Sequence, residues 1–209
     1  MKHMKLSEKI LKYALKLLNE EGLSNLKVER ITDELDISKG NLNYYFPKKD
    51  DIIIALFQEY NQKLLDFAGG IKVEDFSINS YRLAVVELFG IIRKYRGLAF
   101  SSATNNYPKD LLNMMKERFE IRNRLVESFW TALYESNLIT HVPEKQELKI
   151  IIDRLYILSN YWILMYENHY KSEMTYRKAI QYFTKVYLQE LKAFVTEEGR
   201  KELEAVFEA

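Results

Sequence analysis

The sequence predicts an all-α protein, a small three-helix head followed by a larger helical body. Three observations carry that expectation. Glycine occurs 7 times and proline 3 times in 209 residues, fewer turn formers than a strand-rich or loop-rich fold requires. Most of them stand between or at the ends of periodic segments: Gly22, Gly40, Pro47, Gly69-Gly70, Gly97, Pro108, Pro143 and Gly199. Between these breaks the apolar residues recur at helical spacing.

Taken in order, Leu6, Ile10, Tyr13-Ala14 and Leu17-Leu18 form one stripe of an amphipathic helix that stops before Gly22. Val28, Ile31 and Leu35 make a short second helix, and Ser38 offers an N-cap oxygen to a third that runs to about Tyr45. A longer helix opens at Lys48 and fades near Gly69-Gly70. Further segments run from about Ser77 to Tyr95, from Gly97 to Thr104, from Pro108 to Ser136, from Pro143 to Tyr170 and from Glu173 to Val195. A short extra turn follows Glu197. The soft boundary falls inside the helix starting at Lys48, giving a head over residues 1–50 and a body over 51–209.

Composition removes several classes of function. Hydrophobic residues make up 47% and charged residues 29%, which excludes a disordered chain. No cysteine is present, so disulfides, thiolate catalysis and Cys-ligated metals are ruled out. His3, His141 and His169 are scattered, and no phosphate-cradling glycine loop occurs. Neither an enzyme, nor a metal site, nor a cofactor is expected. The longest uncharged stretch of the second half, Leu155 to Tyr166, has 12 residues, too few to cross a bilayer. With no secretory signal at the N-terminus, a cytoplasmic location without membrane partners is expected.

Three short helices with a tight turn between the second and third outline a helix-turn-helix module, which sets its third helix in the DNA major groove. From Ile10 to Ile54 the residues sharpen that outline. They include Ala14-Leu15 and Leu17-Leu18 before Gly22, then Val28 and Ile31, then the run Ile37-Ser38-Lys39-Gly40-Asn41-Leu42-Asn43-Tyr44-Tyr45-Phe46-Pro47-Lys48-Lys49-Asp50-Asp51-Ile52. This stretch resembles the N-terminal domain of the TetR/AcrR family of bacterial transcriptional regulators.

The resemblance implies a DNA-facing set of Lys27, Ser38, Lys39, Gly40, Asn41, Asn43, Tyr44, Tyr45, Lys48 and Lys49. Their chemistry suits that task. Asn pairs with adenine and Lys donates to guanine in the major groove, Gly40 permits close approach, and Lys49 opens a helix whose free N–H groups favour phosphate. Leu42 and Phe46 read as core anchors. The sequence departs from the family at three places. Lys27 stands where Thr is usual, Asp36 where the turn usually has Gly, and Asn43 where Tyr is common.

The formal net charge of +1 speaks at first against a nucleic-acid partner. Residues 1–60 carry ten bases and ten acids. The bases nonetheless gather at Lys2, Lys5, Lys27, Lys39 and Lys48-Lys49, and local phosphate neutralisation governs affinity.

In the body, the segment from Leu148 to Tyr170 has two apolar faces. Leu148, Ile151-Ile152, Leu155, Ser159, Trp162 and Met165-Tyr166 form one, and Ile150, Ile157, Tyr161 and Leu164 form the other. One face packs inward and the other needs a partner, for which a second copy is the economical choice. The last long helix offers Tyr176, Ile180, Phe183, Tyr187, Leu191 and Phe194. The resemblance implies a homodimer built from these two helices, reading a palindromic double-stranded operator. It also implies an inducer pocket in the middle helices, for which Phe89, Phe100, Phe129, Trp130, Tyr134, Trp162 and Tyr166 are the candidates. An apolar or aromatic effector fits such walls, although aromatics at helical spacing are more often core. The expected function is a ligand-responsive, DNA-binding transcriptional regulator, in the family most often a repressor. A helical small-molecule carrier that never touches DNA is the alternative.

Overall fold

The computed structural model describes residues 5–70, 76–101 and 109–208. The expected start of a helix at Pro108 and the end of another at Thr104 fall outside these. Contacts divide the chain into two compact units, Met1–Lys63 with Lys94–Arg118, and Leu64–Arg93 with Phe119–Ala209. The expected boundary near residue 50 lies inside the first unit. That unit also takes in a segment from the middle of the chain.

In the first unit, α1 (Leu6–Glu21) buries Ile10, Ala14, Leu15, Leu17 and Leu18, the stripe its spacing predicts. It stops at Gly22, whose φ is 80° and whose N–H donates to the Leu18 carbonyl at 3.1 Å. A short 3-10 turn, Leu23–Asn25, leads to α2 (Val28–Leu35), which buries Ile31. α3 (Lys39–Tyr45) begins at Ser38, whose Oγ accepts the Asn41 N–H at 3.1 Å, the N-cap the sequence offers. α4 (Lys49–Gly69) starts in this unit, with the Lys48 N–H donating to the Asp51 carboxylate at 2.8 Å. α6 (Arg96–Ser101) and the start of α7 (Lys109–Glu135) complete it.

The turn between α2 and α3 closes on Asp36, which takes a left-handed backbone with φ 50° and ψ 51°. Its N–H donates to the Asp33 carbonyl, and the Ile37 N–H donates to the Thr32 carbonyl, the paired bonds of a Schellman ending. A non-glycine residue there carries backbone strain, and its carboxylate sits at the negative end of α2. Asp36→Gly relieves both, so stability should rise by about 1 kcal/mol, or about 2–4 °C in Tm. A lower melting temperature by circular dichroism would contradict this account of the turn.

The second unit holds the end of α4, most of α5 (Ile78–Lys94), the rest of α7, and three further helices. These are α8 (Lys145–Met165), α9 (Tyr176–Leu188) and α10 (Glu197–Glu208). α8 continues into a wider π turn over Tyr166–Tyr170, and α9 into a 3-10 turn over Gln189–Ala193. The last element is longer than its sequence suggests. The turn expected after Glu197 is a helix of 12 residues that buries Gly199, Leu203 and Val206. Four of its five glutamates are exposed and dilute the apolar signal, while Glu202 accepts the Ile78 N–H at 2.9 Å. Backbone bonds from Thr140 to the Phe194 carbonyl (2.7 Å) and from Thr196 to the Leu138 carbonyl (3.0 Å) tie the segment after α7 to the link before α10. The core is aromatic: Tyr81 lies between Phe129 and Tyr187, and Phe89 between Tyr187 and Trp162.

α8 separates its two faces as the spacing predicts. Ile151, Ile152, Leu155, Ser159, Trp162 and Tyr166 are buried, whereas Ile150, Ile157, Tyr161 and Leu164 are exposed. Met165 joins the exposed side. Of the predicted stripe of α9 and its extension, Phe183, Tyr187, Leu191 and Phe194 are buried and Tyr176 and Ile180 half-buried, leaving Tyr182 and Val186 as the exposed apolar pair. No helix among the described residues is long and apolar enough to cross a membrane.

Candidate nucleic-acid interface

The head presents one polar surface built on α2, the turn and α3. Leu42 and Phe46 are buried, and that anchorage turns the rest of α3 outward. Lys39, Gly40, Asn41, Asn43, Tyr44 and Tyr45 are all exposed. Tyr44 is 82% exposed and meets the Tyr45 ring edge-on at 5.1 Å. A large aromatic side chain that far into solvent contributes little to its own core. It is placed for contact with something else. A Cβ added to Gly40 would meet nothing closer than Ser38 Oγ at 3.7 Å, so the fold itself does not demand glycine here.

Exposed Lys27 sits at the N-cap of α2 without a side-chain capping bond, as expected when Lys replaces a hydroxyl residue. Ser38 and Lys48 are also exposed. Lys49 differs: it is half-buried, and its Nζ donates to the Leu23 carbonyl at 3.2 Å. Its ammonium therefore ties α4 to the turn after α1, whatever else it touches. Asp50 and Asp51 share that first turn. The arm residue Lys2 lies outside the described residues.

Two carboxylates shape the local field, and neither was foreseen. Glu29 on α2 accepts from Lys39 Nζ at 3.4 Å. A hydrogen bond from its own backbone, then the bond from Lys39, hold its carboxyl below the usual range. Arg30 pairs with Glu21 of α1, which lowers the Glu21 carboxyl and raises the guanidinium. Both pairs are solvent-exposed and join different elements ten and nine residues apart, so no helical spacing rule reveals them. Exposed pairs of this kind are weak, and phosphate can compete for the cation.

The second unit contains a cavity of about 20 Å3, lined by apolar residues such as Phe67, Leu88, Val126, Phe129 and Leu155. Arg122, Asn123, Tyr156 and Tyr187 add polar groups. Arg122 is buried, donates to Ser159 Oγ, and stands 4.6 Å from the Tyr156 ring centroid. Burial pushes the hydroxyls of Tyr81 and Tyr187 up. Of the sequence candidates, only Phe129 lines this cavity. Phe89 and Trp162 stack on each other at 5.3 Å, Trp130 meets Phe194, and Tyr166 meets Tyr176. Tyr134 is exposed, and the Phe100 side chain lies outside the described residues. The aromatic spacing thus marked the core, and the cavity wall uses Val, Leu and Arg positions that spacing cannot distinguish. Among the described residues no three His, Asp or Glu gather as a metal site.

Comparison with known proteins bears on both parts. Residues 10–56 match the model of the bacterial regulatory proteins of the tetR family. The chain is 26% identical over 136 residues to the HTH-type transcriptional regulator in the dhlA 5′ region of Xanthobacter autotrophicus, covering 56% of this chain and 67% of that protein. It is 32% identical over 95 residues to the HTH-type transcriptional regulator YuxN of Bacillus subtilis (strain 168), covering 44% of this chain and 33% of that one. In fold it is similar to a TetR-family transcriptional regulator from Marinobacter aquaeolei VT8, with a TM-score of 0.81, 21% identity and 98% of each chain covered. The matched residues are those that build α1 to α3 and open α4, and the helical remainder follows the same fold. Residues 10–56 thus form a helix-turn-helix domain of the kind found in the bacterial regulatory proteins of the tetR family, and the chain as a whole has the fold of TetR-family regulators.

Proposed function

We propose that the protein is a ligand-responsive repressor that binds a palindromic operator as a homodimer, acting in the cytoplasm where its DNA target lies. Residues 1–50 serve as the DNA-binding head and 51–209 as the effector and dimerisation part. The observation that carries this reading is the outward face of α3, polar and aromatic over two buried anchors. Support for the dimer comes from the exposed apolar side of α8, with Ile157 58% exposed, and from the exposed Tyr182 and Val186 of α9. Contiguous exposed apolar surface marks an association site, and a two-fold pair of recognition helices reads a palindrome. The effector belongs to the apolar or aromatic class. The Phe129 cavity now has room for about one water, so a larger effector enters by moving its walls. That movement is the difference between two states on which ligand control of DNA binding rests.

Selection of bound sequences from a random DNA pool with purified protein tests the whole reading. A palindrome whose half-sites lie about one helical turn apart is expected. Recovery of no sequence, with no retention at low salt, would favour a carrier that never touches DNA.

Within the interface, Asn41→Ala should relax choice at one base pair per half-site at a cost of about 1–3 kcal/mol. Uniform loss on all sequences would instead make Asn41 a backbone contact. Glu29→Gln should free Lys39 for phosphate. Affinity at low salt should rise severalfold on every sequence, and the slope against log salt should steepen by about one unit. An unchanged slope would show that Lys39 makes no phosphate contact.

A further inference from the structure

The first unit holds a buried cation whose donors are only partly used. Arg118 of α7 is 2% exposed. Its guanidinium carbon lies 5.4 Å from the Phe57 ring centroid and 5.0 Å from that of Tyr60, both on α4. The rings take its π faces, yet Nε and Nη1 are buried and meet no hydrogen-bond partner among the described residues. Two more polar atoms on the same face of α4 share that condition, the Tyr60 hydroxyl and Asn61 Oδ1. The other end of the Asn61 amide donates to the Met114 carbonyl at 3.2 Å. Met114 stands one helical turn before Arg118, so Phe57, Tyr60 and Asn61 at i, i+3 and i+4 converge on one patch of α7. The nearest carboxylate along α4, Glu59, is engaged by the Tyr95 hydroxyl at 2.5 Å and by Lys94 at 3.3 Å.

A guanidinium does not give up its proton, and burying it without a counter-charge or full hydrogen bonding is costly. Chance packing rarely leaves three such groups side by side. The structure assigns to this place an oxyanion site, taken by the carboxylate of a small organic acid. The carboxylate accepts from Arg118 and from the Tyr60 hydroxyl, and Asn61 Oδ1 accepts an N–H or O–H from the same molecule. Phe57, fully buried against Arg118, favours an apolar body on that acid. The site belongs to the unit that carries α1 to α3. The Phe129 cavity belongs wholly to the other unit, so this proposal goes beyond the effector reading and stands without it.

The experiment follows thermal unfolding of the full chain titrated with benzoate and octanoate, against benzyl alcohol, octanol, chloride and inorganic phosphate. A carboxylate is expected to raise the melting temperature saturably, by about 3–6 °C at tenfold its dissociation constant, and the alcohols and chloride are not. Arg118→Met keeps the volume and should abolish the shift. Tyr60→Phe keeps the rings and should weaken carboxylate binding severalfold, which preserves the test if the methionine variant fails to fold. Absence of any carboxylate effect on the unaltered protein overturns the assignment. So does an equal effect in both variants, or stabilisation by phosphate alone.

Discussion

Replacing Gly97 by alanine is expected to destabilise the protein by about 3 kcal/mol, a fall of about 6–12 °C in melting temperature. α6 crosses α1 at this glycine so closely that an added Cβ would lie 2.4 Å from the Leu18 carbonyl oxygen and 2.6 Å from its carbon. Those atoms are backbone in the last turn of α1, where the Leu18 carbonyl also accepts the Gly22 N–H, and cannot swing aside. The same crossing is clasped by Asn19, whose Nδ2 donates to the Lys94 carbonyl at 2.9 Å while its Oδ1 accepts the Gly97 N–H at 2.8 Å. Moving α6 outward by the required distance breaks that clasp and exposes Leu18 and Leu98, both buried now. Because α1 also packs on α2, operator affinity should fall together with stability. Thermal unfolding by circular dichroism checks the first effect and DNA binding below the melting point the second. An alanine variant that melts with the unaltered protein would mean that α6 does not sit on α1 as described.

Ile157→Arg is expected to leave a folded monomer that binds the operator at least about a hundredfold more weakly. Ile157 is largely exposed in the single chain, so a charge there costs that chain little. In a dimer the same position would sit between two apolar faces, and burying an unpaired charge at that place opposes association strongly. Loss of the second head removes the gain from bivalent binding, about 10²–10⁴ in affinity. Sedimentation should show a 24.9 kDa species with unchanged helicity. A variant that still sediments as a dimer would move the interface elsewhere.

Much of the architecture was legible because helices are local. The stripe Ile10, Ala14, Leu17-Leu18, the cap at Ser38, the breaks at Gly22 and Gly69 and the split of α8 into two apolar faces all follow from spacing along a few turns. The recognition surface was legible for the same reason. Leu42 and Phe46 must point inward, so Asn41, Asn43 and Tyr44 must point out. α10 was underestimated because its glutamates outnumber the three residues it buries.

What remained hidden depends on contacts between distant residues. Nothing in the spacing of Glu29 or Arg30 announces their partners ten and nine positions away. Lys49 read as a phosphate ligand from its place at a helix start, and only the fold shows its ammonium against Leu23. The aromatic residues chosen for a pocket mostly form the core, since burial and cavity lining share one apolar signature. By itself the sequence determined the helices and the outward face of α3, each set by short-range periodicity and local caps. The tertiary structure alone decided that α6 belongs with the head, that Phe129 borders a cavity, and that Arg118 is buried beside Tyr60 and Asn61. Those outcomes rest on long-range packing, where the position of one backbone against another fixes which donors are satisfied and which are left over.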